Sequence, residues 1–138
     1  MLNKKLLKLE IEFDFVLVAL ACSLKDYRLC YLLNKNLRIN LRKITDIEIV
    51  DRKFSTHSFY SHFVSVEEHL EINLLSNRGI DHFLIPEMKQ LDYFMIIKGF
   101  IDDEDLTDLL KNLTRIAEVS YTTLVDPHKL KSKNNLIF

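Results

Sequence analysis

Glycine is nearly missing from this chain of 138 residues: Gly79 and Gly99 are the only two, where a soluble protein carries about 7%. Phosphate cradles need several glycines so that backbone amides can close on the ligand. Neither a dinucleotide fingerprint nor a Walker loop can therefore be written here. Two cysteines, Cys22 and Cys30, are no disulfide framework at this length, and their apolar surroundings suggest buried thiols in a reducing compartment. Long hydrophobic runs are absent as well. The longest, Phe15 to Cys22, falls far short of a bilayer span. After Lys4 and Lys5, the residues Lys8, Glu10, Glu12 and Asp14 interrupt the apolar positions that a secretory signal would need. The expectation is a cytoplasmic protein with no membrane partner.

Against these absences stand 48% apolar and 28% charged residues, enough for one domain over residues 1–138 with a core of its own. The net charge of −1 conceals blocks. Residues 1–65 carry 11 Lys and Arg against 7 acids, residues 66–108 carry 3 against 11, and residues 109–138 carry 5 against 2. Such a chain can pair head to tail with itself, offer a basic face to a polyanion, or intermix its charges on folding.

Apolar residues alternate from Leu9 through Ile11, Phe13, Phe15, Leu17 and Ala19 to Ala21, the period of a strand. Ser23 and Asp26 form a capping box before a helix over Leu24 to Leu37, with Tyr27, Cys30, Tyr31 and Leu33 or Asn34 facing inward. Two short strands follow around Leu37 to Arg42 and Ile47 to Val50, then a polar loop from Lys53 to Ser58. Phe59 to Val66 and His69 to Leu75 read as a hairpin. The turn residues Asn77, Arg78 and Gly79 precede a further strand at His82 to Ile85, which Pro86 ends because it has no amide hydrogen to give. Leu91 to Lys98 is apolar on both faces and belongs in mid-sheet. Acids from Asp102 to Asp105 crowd the start of a second helix, where its dipole favours them, and Leu106, Leu109, Leu110, Leu113 and Ile116 give that helix an inward face. A strand from Val119 to Val125 ends the pattern. The order β-α-β-β-β-β-β-β-α-β gives an α+β fold with a mostly antiparallel sheet and two main helices.

Charge inside an apolar stretch needs a reason, and the run from Ile85 to Gly99, IPEMKQLDYFMIIKG, sets Glu87 and Asp92 in one. Paired carboxylates can act as general acid and base if burial separates their pKa values. Otherwise Asp92 accepts loop amides or pairs with an arginine while Glu87 caps the turn after Pro86. Arg28, beside Tyr27 in the first helix, is the expected partner of Asp92 or Glu87, since its planar fork suits a carboxylate. His57, His62 and His69 have neither the helical nor the finger spacing of zinc ligands, so no metal and no cofactor is expected. Lys25, Arg28, Lys35, Arg38, Arg42 and Lys43 interleave with Tyr27 and Tyr31, a composition that can grip phosphates and stack bases unless the tyrosines are core. The ending Leu136, Ile137 and Phe138 is apolar enough to dock on the protein's own core or across a two-fold axis on a second copy.

The motif Ile85, Pro86, Glu87, then Leu91, Asp92 and Tyr93, resembles the signature of the bacterial IPExxxVDY family, with Leu91 where the family has valine. The runs DYRLCYLLNKNL from Asp26 and LKSKNNLIF from Leu130 are similar to segments of the same family. The resemblance implies a small bacterial cytoplasmic protein and brings no activity with it. The expectation is a non-catalytic interaction module that forms a homodimer and meets an as yet undefined protein partner. The alternatives are an RNA-associated accessory protein and, behind it, a small enzyme using Glu87 and Asp92.

Overall fold

Alternation becomes a strand only from Val16. The computed structural model describes residues 13–138, and the expected strand start at Leu9 lies outside them. Phe13 to Phe15 turn, with the Phe15 amide donating to the Phe13 carbonyl at 3.0 Å. The elements that follow are β1 (Val16–Cys22), α1 (Asp26–Leu37), β2 (Arg42–Asp51), β3 (Thr56–Val66), β4 (Leu70–Ser76), β5 (Tyr93–Gly99), α2 (Asp103–Thr114) and β6 (Val119–Val125). Every pairing is antiparallel, and the strand order is β2-β3-β4-β5-β1-β6. The chain is thus one α+β domain, a six-stranded antiparallel sheet with two helices.

Eight strands were expected and six form among the described residues. The first short strand expected after the helix, Leu37 to Arg42, does not form: Leu37 ends α1, the backbone of Leu41 is held by the Asn34 side chain, and only Arg42 belongs to β2. The second, Ile47 to Val50, lies within β2, whose pairing with β3 shifts register between Ile44 and Ile47. Residues 82–85 make no strand, and only Phe83 bridges back to Arg78. Lys25, not Ser23, precedes α1, and no side chain caps it. The helix stops where Arg38 turns left-handed, with φ 55°.

Alternation on the strands feeds two cores. Val18, Leu20, Ile72, Leu74, Met95 and Ile97 point to one face, where Leu29, Cys30 and Leu33 of α1 and Leu113 of α2 cover them, with Ile116 just beyond α2. Leu17, Ala19, Leu75, Phe94 and Ile96 point to the other, under Leu84, Ile85 and Leu91 of the β4–β5 connection and Leu130 and Leu136 of the tail. Burial on both faces explains the unbroken apolar run of β5. It lies between β4 and β1, and Tyr93 to Ile97 are all buried. Gly99 closes that strand at φ +102°, where a Cβ would stand 2.3 Å from the His69 carbonyl oxygen, so only glycine fits. Asp102 caps α2 by accepting the Asp105 amide at 2.8 Å, and the acids of the first turn meet its dipole as the sequence predicts. No helix among the described residues is long and apolar enough to cross a membrane.

Candidate functional site

The run from Ile85 to Tyr93 is spread over two faces of the sheet. Ile85 is fully buried and its amide donates to Asn77 Oδ1 at 2.8 Å. Pro86 opens a single 3-10 turn, Pro86–Met88, at a position where its missing amide hydrogen costs nothing. Glu87 accepts the Ser132 amide at 2.8 Å and so holds the tail. Burial alone would raise the Glu87 pKa, but amide hydrogen bonds from its own backbone, Ser132 and Lys131 hold it below the ordinary value.

Asp92 stands at the mouth of β5, where β1 ends. Its Oδ2 accepts the Cys22 amide at 2.8 Å and its Oδ1 takes Nε of Arg78 at 3.1 Å. Arg78 therefore fills the role expected of Arg28, which is exposed on α1. The reason is topological. The β4–β5 connection returns Arg78 beside its own strand ends, while the helix carries Arg28 over the opposite layer. Tyr93, buried next to Asp92, donates its hydroxyl to the Leu24 carbonyl at 2.6 Å and ties α1 to the central strand. Burial, reinforced by the charges of Asp26, Cys22 and Asp92, pushes its pKa well above the ordinary tyrosine value. Glu87 and Asp92 thus serve different elements and form no acid and base pair.

These groups surround a polar cavity of about 380 Å³ lined by Cys22, Ser23, Leu24, Ser76, Arg78, Asp92 and Tyr93. Burial raises the Cys22 thiol pKa, with a smaller opposing pull from the Leu24 amide, which favours the protonated thiol. Cys30 is shifted upward by burial too, and both cysteines are free and buried. Leu24 also lines a second concavity of about 470 Å³, together with Tyr27, Arg28, Tyr31, Leu32 and Glu118. Tyr27 and Tyr31 are 61% and 65% exposed. They do not face inward as their spacing suggested. Cys30 and Leu33 are buried as that spacing expects, Leu29 joins them in the core, and the tyrosines stand one turn apart on the outer face with Arg28 beside them.

Asn77 is the residue that the sequence undervalued. Fully buried, it donates through Nδ2 to the carbonyls of Met88 at 3.0 Å and Leu91 at 2.8 Å while Oδ1 accepts Ile85. It binds three points of the connection from one side chain. In the sequence it is one polar residue in a turn-like run before Gly79, with nothing local to set it apart.

Among the described residues, no three His, Cys, Asp or Glu side chains are placed to hold a metal ion. His57 meets Glu48 at 2.5 Å and His69 lies 3.9 Å from Glu68. His62, buried on the sheet face, contacts Asn73 Oδ1 through Nε2 at 2.7 Å. The apolar ending docks on the protein's own core: Leu136 is fully covered, and Phe138 sets its ring edge to face with His62, centroids 4.8 Å apart. Comparison with family models, with curated proteins and with solved structures finds no match to this chain.

Proposed function

We propose that the protein is a non-catalytic, self-associating interaction module of the cytoplasm, with the outer face of α1 as its recognition surface for a protein partner. The carrying observation is the pair Tyr27 and Tyr31, two large aromatics left in solvent one helical turn apart, flanking Arg28 over a concavity. Tyrosine and arginine are the side chains that dominate the energetic centres of protein interfaces. The polar groups of the run from Ile85 to Tyr93 are meanwhile committed to the fold: Asp92 to Cys22 and Arg78, Glu87 to Ser132, Tyr93 to Leu24. None is left beside an activated nucleophile, which supports a binding role over a catalytic one.

Affinity capture from native lysate tests this with the wild type and with Tyr27→Ala/Tyr31→Ala, each with and without ribonuclease. The proposal expects a defined protein whose capture falls about tenfold or more in the double variant, the loss expected for interface tyrosines, and is indifferent to ribonuclease. Capture that the double variant leaves intact would overturn it. One observation favours a second reading: exposed Tyr27 and Tyr31, with Arg28 and Lys35 on the same helix and Lys25 just before it, have the composition that stacks bases and tracks a backbone. Capture abolished by ribonuclease, with binding to a single-stranded oligonucleotide that weakens as salt rises, would establish that reading instead.

A further inference from the structure

The sheet has two edges, and they are built oppositely. A strand edge exposes a row of unpaired N–H and C=O groups, and proteins that must not associate there defend it with charge, proline or a bulge. The β2 edge is defended. Five of its ten residues are charged, namely Arg42, Lys43, Asp46, Glu48 and Asp51, and its register breaks between Ile44 and Ile47. The β6 edge has neither charge nor proline. Its sequence, Val-Ser-Tyr-Thr-Thr-Leu-Val, contains no charge and no proline. Its one irregularity lies at the start, leaving Tyr121 to Val125 in continuous register with Ala21 to Leu17. Among the described residues β6 pairs on one side only.

Both faces of this edge carry exposed apolar groups. Tyr121, paired with Ala21, is 56% exposed on the face of the tail, and Leu124, paired with Val18, is 53% exposed on the face of the helices. An edge that is uncharged, regular and apolar on both faces suits another strand rather than a groove ligand.

We propose that β6 pairs antiparallel with β6 of a second copy across a two-fold axis, joining two six-stranded sheets into one of twelve strands. This rests on the self-association in the proposed function and gives it a surface. An antiparallel two-fold strand pair is self-complementary by construction, since each residue meets its counterpart in a fixed sum of positions. Charge then selects the register. An axis at Thr122 sets Glu118 of each copy against Asp126 of the other, a like-charge opposition. An axis at Thr123 removes it, places Tyr121 opposite Val125 and Thr122 opposite Leu124, and extends both cores across the join. Tyr121 beside Val125 is an aromatic and β-branched pair of the kind that stabilises sheets.

Light scattering after size exclusion, over a range of concentrations, tests the pairing on the wild-type chain and on Tyr121→Lys/Leu124→Lys, with Val50→Lys on the β2 edge as control. The wild type and the control should rise from the single-chain mass of 16.3 kDa towards twice that value. The β6 double variant should weaken self-association about tenfold or more, with an unchanged far-ultraviolet spectrum. A wild type that stays single at every concentration overturns self-association and this surface together. Association that the β6 variant leaves intact overturns the surface alone. If the variant fails to fold, hydrogen exchange on the wild type decides: amides of residues 119–125 should gain protection as concentration rises. Protection independent of concentration means that the edge is covered within one chain, and it overturns the proposal.

Discussion

Asp92 is held by two partners of unequal worth. Arg78 is largely exposed, so the ion pair is screened and contributes a fraction of a kcal/mol. The Cys22 amide is buried at the end of β1, and removing its acceptor leaves a donor without a partner, which costs about 1–3 kcal/mol. Asp92→Ala should therefore lower stability by about 2 kcal/mol. Asp92→Asn, which keeps an oxygen for the amide, should lose about 1 kcal/mol or less. Arg78→Ala should lose less than Asp92→Ala. Denaturant midpoints for the three variants check the order, and an Asp92→Ala midpoint equal to the wild type would remove Asp92 from the fold's support. At this scale the sequence showed that a carboxylate in an apolar run needs a partner, but not which one. The partner is a residue whose only local mark is a turn. Choosing Arg28 required that α1 face the motif with its charged side, and a helix puts leucines there instead.

Elements were legible where one periodicity held. The capping acids and leucine stripe of α2 and the apolar run of β5 each predict what forms, and β6 spans the residues expected of the last strand. They failed where two signals overlapped. Leu37, Ile39 and Leu41 alternated like a strand although the helix runs to Leu37 and β2 begins only at Arg42, and the polar and apolar mixture before Pro86 looked like a strand although its hydrogen bonds go to Asn77. The tail is the clearest gain from the structure. It has no helix or strand of its own beyond short 3-10 turns, yet Leu130 and Leu136 complete the second core and Asn135 donates to the Leu84 carbonyl at 2.8 Å. Without that cover, part of one face of the central strands would meet water. Leu136→Ala should then cost about 2–4 kcal/mol, the range for a buried leucine truncated in a packed core, whereas Ile137→Ala, at a half-exposed site, should cost under about 1 kcal/mol. Equal small losses in both would mean that the tail contributes little to the core.

For the whole molecule, acid should loosen the tail in two stages, because a different titrating group holds it at each end. His62 lies beneath Phe138, whose ring also receives the Lys98 ammonium at 4.7 Å. Burial lowers the His62 pKa from the ordinary 6.5; the Asn73 hydrogen bond and the charge of Glu71 oppose this, while the charges of Lys98 and Lys43 add to it. The unfolded chain therefore takes up this proton first, and stability falls as pH drops below about 6.5 towards the folded value. Glu87, shifted downward from 4.5, behaves as a carboxylate favoured in its ionised form. Its contribution is full above that pH and is lost as pH falls through the lowered folded value. Thermal midpoints measured from pH 7.5 to pH 3 should decline through an upper window and then a lower one. His62→Gln keeps a donor for Asn73 and removes the upper decline, while Glu87→Gln removes part of the lower one. Wild-type profiles from both variants would place the acid sensitivity elsewhere in the fold, and the tail would then be held by packing alone.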